Sequence, residues 1–476
     1  MEKVAIIGMG TSGMAVAAGI AKVMPEGIRV DCYDTKESFG KGYPYRDDTD
    51  TLLLNLKTRK ISYDYENNDD LADWHKETGR TPDEYTARAV FGEYTSDRLD
   101  ETLKKLDANR IYDKVVRLDP LPDNRWELET EDGTVTSYDR VHLCSGELAN
   151  ADPCGLNGCK NYVENPYPAD TQLAHLPKDE TVLVIGAGLT GVDVATVLLL
   201  DQGHTDVRMY SRTNVIPTVR VDPVDVEIKI LTMDAIDEKI KAGHGLIAFS
   251  DFEELLLGQL NELGIDYDAF VKKHMKGGLE GLRTNIEEPD DLAIVQALLP
   301  PLNLVFNKVW VSMTKTDRRK LRTKYHPFLC LNRSPLPQIS AEQLIDAAEK
   351  GKFSMPEDIH TVRCAEDGDF VALNADGDEL FCAKAAVNAT GLDMRLDRVA
   401  EKNDLIAQLL NKRILQKDEY AGITVLPDDV SVLSPRLGHL QTLHAHGVLV
   451  AGVQYRNNST LIIQRTAHEL AKQLYG

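Results

Sequence analysis

Six glycines in two matched sets are the residues of this chain best suited to chemistry with a ligand. Gly8, Gly10 and Gly13 follow the apolar run Val4-Ala5-Ile6-Ile7, and Gly186, Gly188 and Gly191 follow Val182-Leu183-Val184-Ile185. In this spacing the first glycine permits a tight turn and the second lets backbone approach a pyrophosphate. The third lets a helix pack closely on its strand. The helix that opens there, at Thr11-Ser12 in one set and Thr190 in the other, offers free N–H groups and a partial positive charge to phosphate. The chemistry implied is dinucleotide binding, twice over.

The two sets differ where a ribose would sit. After the first, the strand Ile28 to Tyr33 runs into Asp34, about twenty residues beyond the last glycine, as a ribose-hydroxyl acceptor should. After the second, the strand from Asp206 ends at Tyr210-Ser211-Arg212 with no carboxylate. Ser211 and Arg212 suit a 2′-phosphate through charge-assisted hydrogen bonds, which a carboxylate would repel. FAD is therefore expected at the first set and NADPH at the second. Gly40, Gly42 and Tyr43 recur close behind Asp34 and add bare backbone for the diphosphate or ring, although an ordinary glycine turn reads the same way. Near the end, Val448 to Gly452 reads as an apolar strand, followed by a helix that Asn458 or Ser459 can cap and Thr460 opens. Such a helix start suits the pyrimidine edge of a flavin.

These residues need elements to hold them. Each glycine set lies between a fully apolar strand and a helix that leads to a further strand, which predicts two Rossmann-like dinucleotide-binding domains in an α/β chain. Two more apolar runs end in glycine: Tyr138 to Cys144 before Ser145-Gly146, and Ala383 to Asn388 before Ala389-Thr390-Gly391. They are expected to be the crossovers into and out of a central domain, with Gly146, Thr390 and Gly391 at the cofactors. The expected division is an FAD domain over 1–165 and 385–476, an NADP domain inserted in it over 178–223 and 326–384, and a helical insertion over 224–325.

Composition narrows the function classes. The 476 residues carry 54 basic and 76 acidic side chains, a formal charge of −22, which disfavours nucleic acid and anionic lipid as partners. No apolar run is long enough to span a membrane, and the first glycine arrives too early for a removable leader. Seven scattered cysteines suit reduced thiols and a cytoplasmic location. Cys154 and Cys159 have a spacing seen in redox pairs but lie in a connection, where two loop thiols are expected. His444 and His446 lack a third ligand nearby in sequence, so no metal is assigned.

The paired glycine motifs, Leu53-Leu54-Asn55-Leu56, Asn165-Pro166-Tyr167, Gly188-Leu189-Thr190-Gly191-Val192-Asp193, Tyr325-His326-Pro327 and the Asn388-Ala389-Thr390-Gly391 crossover together resemble FAD/NAD(P)-binding flavoproteins. Within these the chain is most similar to the branch near the lysine and ornithine N-hydroxylases. The resemblance implies an FAD-dependent enzyme reduced by NADPH, with Asn55 among its cofactor residues and a small-molecule substrate. Where related monooxygenases carry Phe-x-Gly and a downstream His, this chain reads Cys144-Ser145-Gly146 and Asn161-Tyr162. Three outcomes stay open: a monooxygenase, an NADPH:acceptor flavin reductase, or a non-catalytic regulatory binder. No residue is singled out as catalytic, because the cofactors carry hydride transfer.

Overall fold

The computed structural model describes residues 1–146, 149–455 and 459–476. The chain divides into two compact units: residues 1–50, 56–149 and 392–476 form the first, and Thr51–Asn55 with Asn150–Gly391 form the second.

The first unit begins with β1 (Glu2–Ile7), the helix Thr11–Val23 and β2 (Ile28–Tyr33). After the helix Arg88–Leu106 come β3 (Asn109–Ile111), β4 (Val115–Pro120), β5 (Trp126–Thr130), β6 (Val135–Tyr138) and β7 (Arg140–Leu143). In the second unit the strands are β8 (Tyr162–Val163), β9 (Val182–Ile185), β10 (Val207–Tyr210), β11 (Phe353–Ser354), β12 (Thr361–Cys364), β13 (Phe370–Leu373), β14 (Glu379–Ala383) and β15 (Ala385–Asn388). The chain then returns to the first unit for β16 (Ser431–Ser434), β17 (Gly438–Ala445) and the closing helix Thr460–Tyr475.

Both units repeat one plan. The main sheet of the first has the order β16-β17-β7-β1-β2-β3, and that of the second β11-β10-β9-β15-β8. In each, the glycine-bearing strand is central and parallel to both neighbours. Central strands buried on both faces explain the unbroken apolar runs. Each plan also has a three-stranded antiparallel sheet, β4-β5-β6 or β12-β13-β14, that feeds directly into a main-sheet strand. The two apolar runs read from sequence as single strands are thus each two strands. The breaks fall at Asp139, whose amide donates to the Lys3 carbonyl, and at Lys384, whose amide donates to that of Thr181.

The units differ from the expected division in three ways. Strands β8 and β15 pair in the second unit's sheet, so 150–165 and 385–391 leave the first. Leu52 is buried in one apolar cluster with Val184, Val194 and Leu336, which carries Thr51–Asn55 into the second unit. The helices from Met233 onward share that cluster through Leu282 and belong to the same unit rather than standing apart. Helix also continues past 325: Lys315–Arg333 contains Pro327, a residue that ordinarily interrupts a helix. Tyr325, Phe328 and Leu329 are buried around it, and Tyr267 and Phe270 meet Phe328 edge to face, so packing overrides propensity.

Among the described residues no single helix is long and apolar enough to cross a membrane. The bent pair Asp290–Leu298 and Asn303–Val311 passes by length and composition only, and its Leu292, Val295, Val305 and Val309 are buried inside the unit.

The end of the first unit also departs from expectation. Residues 447–450 form a 3-10 turn, not a strand. The His446 amide closes the ladder on the Leu143 carbonyl, and Gly447 then takes a positive φ of 66° that turns the chain out of the sheet. The closing helix crosses Thr11–Val23 at Gly19, where a Cβ would lie 2.9 Å from the Ala467 carbonyl oxygen.

Behind that sheet His142, His444 and His446 are all buried. His142 is the register partner of His444, and their rings stack at 5.3 Å. The Nε2 of His444 accepts from Arg140 Nη1 at 3.0 Å, so its Nδ1 must be the protonated nitrogen facing the Asp429 carbonyl. His142 joins His446 at 3.0 Å and the Tyr475 hydroxyl at 2.8 Å. Burial first, then Arg140 and the neighbouring imidazoles, oppose protonation; His444 is pushed down to about 4 and His446 to about 3. Because the folded values lie below those of the unfolded chain, this stabilisation is complete above about pH 6.5 and is lost as pH falls from there. Each such histidine should cost up to about 1.4 kcal/mol per pH unit below 6.5. Denaturant titrations at pH 7.5 and 5.5 should therefore show a loss of stability that shrinks in a His446→Gln variant; an unchanged slope would contradict the assignment.

Candidate nucleotide-binding sites

The two glycine turns are superimposable in their logic. At the first, the Gly8 amide donates to the Tyr33 carbonyl at 2.8 Å and the Cys144 amide to that of Ile7 at 2.8 Å. At the second, Gly186 donates to Tyr210 and Ala389 to Ile185, both at 2.8 Å. Gly8 and Gly186 have φ values of 93° and 121°, which side-chain-bearing residues rarely adopt. A Cβ at Gly8 would lie 2.8 Å from the Cys144 carbonyl oxygen, and one at Gly186 would overlap that of Ala389. Likewise a Cβ at Gly13 would overlap the Gly8 carbonyl, and one at Gly191 that of Gly186. First and third glycines therefore serve the turn itself, as their spacing predicts.

The middle glycines differ. A Cβ at Gly188 would meet nothing within 4 Å, leaving open space at the start of the helix Leu189–Thr196, with Thr190 in its first turn. A Cβ at Gly10 would meet Gly42 Cα at 3.0 Å, so here the protein's own loop takes up the approach. That loop is tightly held: the Gly40 amide donates to Met9 O, the Gly42 amide to Ser38 O, and Thr95 Oγ1 to Gly40 O. Gly42 thus stands beside Thr11, the first residue of the helix: a Cβ on it would lie 3.7 Å from the Thr11 amide nitrogen.

Asp34 stands at the end of β2, where its Oδ2 accepts from the Met9 amide at 2.6 Å and its Oδ1 from Thr35 at 2.7 Å. Arg46 was not picked out from sequence. It donates through Nη2 to Ser38 at 2.6 Å, lies over the Tyr43 ring, and has a buried Nε without a partner among the described residues. Tyr63 was also missed; its hydroxyl donates to the Thr11 carbonyl at 2.8 Å. The available signal was the cation three residues after Tyr43 in the glycine-rich loop. Tyr63 left none, because its contact is made by folding.

Further along the first unit, Gly146 follows the end of β7 by three residues, and a Cβ built on it would approach Cys144 O and Val448 Cγ2 at 4.0 Å. Ser12 faces Gly447, whose Cβ would overlap the Ser12 hydroxyl. Gly452 is taken up by packing on Asp418 and Ala421 rather than left open. Ser459 occupies the cap position before Thr460 in extended backbone, with no side-chain cap hydrogen bond among the described residues; Asn458 lies outside them.

In the second unit, Ser211 to Asn214 forms a turn closed by the Asn214 amide on the Ser211 carbonyl. The Ser211 hydroxyl is buried and unpartnered among the described residues, while Arg212 is exposed. Arg220, close in sequence, is engaged elsewhere: its Nε donates to the Asn55 carbonyl at 2.5 Å. Asn55 accordingly lies with the second unit. The Thr390 hydroxyl donates to Asn388 Oδ1 and the Ala151 carbonyl, and the Gly391 carbonyl accepts from Ala151, so both anchor the crossover.

Residues 5–148 match a family model described as FAD-NAD(P)-binding. No curated protein matches the chain. Among solved structures it is similar to an ornithine hydroxylase from Pseudomonas aeruginosa, with a TM-score of 0.57 and 13% identity over 100% of this chain and 98% of that one. It is also similar to an ornithine N-hydroxylase from Kutzneria sp. 744 with reduced FAD, NADP+ and L-ornithine (TM-score 0.56, 13% identity, 99% and 98% covered). A cyclohexanone monooxygenase from Rhodococcus sp. Phi1 bound to NADP+ gives 0.51 at 15% identity, covering 99% and 83%. At these identities the likeness is one of fold: the chain has the two-dinucleotide-domain architecture of these flavin-dependent enzymes.

Proposed function

We propose that this protein is an FAD-dependent, NADPH-reducible oxidoreductase acting as a monooxygenase on a small molecule. The observation that carries the reading is one glycine turn built twice with opposite endings to its second strand. Asp34 closes the first, while Ser211 and Arg212 close the second.

FAD is held by the first unit. Gly8, Gly10, Gly13 and the start of the helix at Thr11-Ser12 receive its pyrophosphate, Asp34 its ribose, and the unpartnered Arg46 Nε supplies a further donor beside Gly42. NADPH is held by the second unit, with its pyrophosphate at the open face of Gly188 and its 2′-phosphate at Ser211 and Arg212. When bound, the two cofactors supply hydride transfer and oxygen chemistry; the protein's contribution is binding and orientation. The formal charge of −22 suits small-molecule rather than nucleic-acid or anionic-membrane partners, and seven thiols suit a reducing compartment such as the cytoplasm.

The purified protein should be yellow, and anaerobic NADPH should bleach it. Air should then give an oxygenated product when the right substrate is present and hydrogen peroxide when it is absent. Peroxide release that no substrate suppresses would point instead to a reductase, and a colourless protein that takes up no FAD would end the proposal.

Two variants separate the coenzyme sites from the fold. Gly188→Ala adds a methyl group into open space, so unfolding midpoint and FAD content should stay within error of the parent. NADPH affinity should fall by more than about tenfold, as one clash with a phosphate costs about 1.4 kcal/mol or more; unchanged titrations would sink the assignment. Arg212→Ala should weaken NADPH by about 10- to 100-fold through loss of a charge-assisted pair, while NADH changes by less than about twofold. Equal losses for both coenzymes would remove Arg212 from the 2′-phosphate.

A further inference from the structure

Four times in this chain an Asn or Asp is followed directly by glycine: Asp132-Gly133, Asn157-Gly158, Asp367-Gly368 and Asp376-Gly377. With no Cβ beside it, the glycine amide is uncrowded. Its nitrogen can turn back on the carbonyl carbon of the preceding side chain. Whether it does so depends on how each pair is held.

The three Asp-Gly pairs are held. The Gly133 amide donates to the Thr130 carbonyl at 2.9 Å, that of Gly368 to Ala365 at 3.0 Å, and that of Gly377 to Asn374 at 3.2 Å. The Asp132 carboxylate is itself occupied, accepting from Thr130 Oγ1 and the Thr134 amide at 2.8 Å each. A carboxylate also repels an approaching nucleophile through its charge.

Asn157-Gly158 is neutral, exposed and unheld. Both residues face solvent, Gly158 has a φ of 87°, and a Cβ on it would meet nothing within 4 Å. Among the described residues neither the Gly158 amide nor the Asn157 carboxamide forms a hydrogen bond. The groups around them are fixed. The Cys159 amide donates across the pair to the Leu156 carbonyl at 3.0 Å. The Asp152 carboxylate accepts from the Leu156 and Asn157 amides at 3.0 Å each. Nucleophile and electrophile thus stand free at the tip of a turn whose base is pinned.

We propose that Asn157 is a site of spontaneous deamidation, by which the connection ahead of β8 ages into a charged and longer turn. Hydroxide removes the Gly158 amide proton, and the nitrogen attacks Cγ of Asn157. One N–Cγ bond forms, the Cγ–Nδ2 bond breaks, and Nδ2 leaves as ammonia with a proton taken from water. Water then opens the succinimide at either carbonyl, giving aspartate or isoaspartate. One carboxamide and one water thereby become one carboxylic acid and one ammonia.

Both products set a new carboxylate on the residue whose amide the Asp152 carboxylate accepts, and like charges so placed repel. Isoaspartate also adds a methylene to the main chain, inside the turn that Leu156 and Cys159 close. Leu156 is buried in one apolar cluster with Ile185 and Tyr210, the last residues of β9 and β10. Loosening the turn therefore reaches the strand ends that carry Gly186 and Ser211.

The test is storage of the full native chain at pH 7.0 and 8.5, with peptide mapping by mass and labelling by an isoaspartate-specific methyltransferase. Asn157 should exchange NH2 for OH, faster at the higher pH, with isoaspartate at that position and none at the three Asp-Gly pairs. Trypsin should cut after exposed Lys160 severalfold faster in the aged protein than in the fresh one. Both changes should be missing from Asn157→Gln, whose longer side chain closes the ring less readily. An intact Asn157 in protein whose other asparagines have converted, or isoaspartate confined to an Asp-Gly pair, would overturn the proposal. Cleavage after Lys160 that does not follow the conversion would remove the loosened turn.

Discussion

Each unit of this protein depends on three parallel strands converging on a glycine that has no room for a side chain. The central strand ends in an amide that donates sideways to one neighbour, Gly8 to Tyr33 or Gly186 to Tyr210, while the other neighbour donates back, Cys144 to Ile7 or Ala389 to Ile185. The neighbour's carbonyl, at Cys144 or Ala389, lies where the glycine's Cβ would be. Backbone groups at a sheet end would otherwise be left without partners at the mouth of a binding site, where water is displaced by ligand. Closing them against one another leaves the next helix start, with its free N–H groups, as the group turned toward phosphate.

What surrounds each turn follows from that constraint. The strand that supplies the third carbonyl arrives late in the sequence, directly after a three-stranded antiparallel sheet: β4-β5-β6 ahead of β7, and β12-β13-β14 ahead of β15. The second turn is completed only after the chain has built its whole helical region, since Ala389 follows Gly186 by some 200 residues. The helices from Met233 to Arg333 thus belong to the second unit, whose core takes Leu282 of the helix Gly278–Glu287, instead of forming a body of their own.

The two turns are specialised by what fills the middle glycine. At Gly188 space is open, whereas at Gly10 the loop from Ser38 to Gly42 has moved in and brought Tyr43 and Arg46 with it. The first turn is therefore the more enclosed of the two and the second the more open. The same backbone therefore makes two turns of different openness, divided by their neighbours and not by the motif.

The sequence by itself determined the paired glycine turns, the strand and helix on either side of each, and the contrast of Asp34 with Ser211-Arg212. These are local: periodicity, glycine spacing and the residue at a strand end act within some thirty residues. Only the tertiary structure decided that Thr51–Asn55 joins the second unit through Leu52, and that Arg220 donates to the Asn55 carbonyl. It also decided that Pro327 lies inside a helix, and that Cys154 stands 3.5 Å from the Tyr210 hydroxyl. Each of these pairs residues far apart in sequence, and burial against a shared core outweighs the local preference from which spacing is read. The run Val448 to Gly452 makes the same point, since its apolar pattern suits a strand but the positive φ at Gly447 removes it from the sheet.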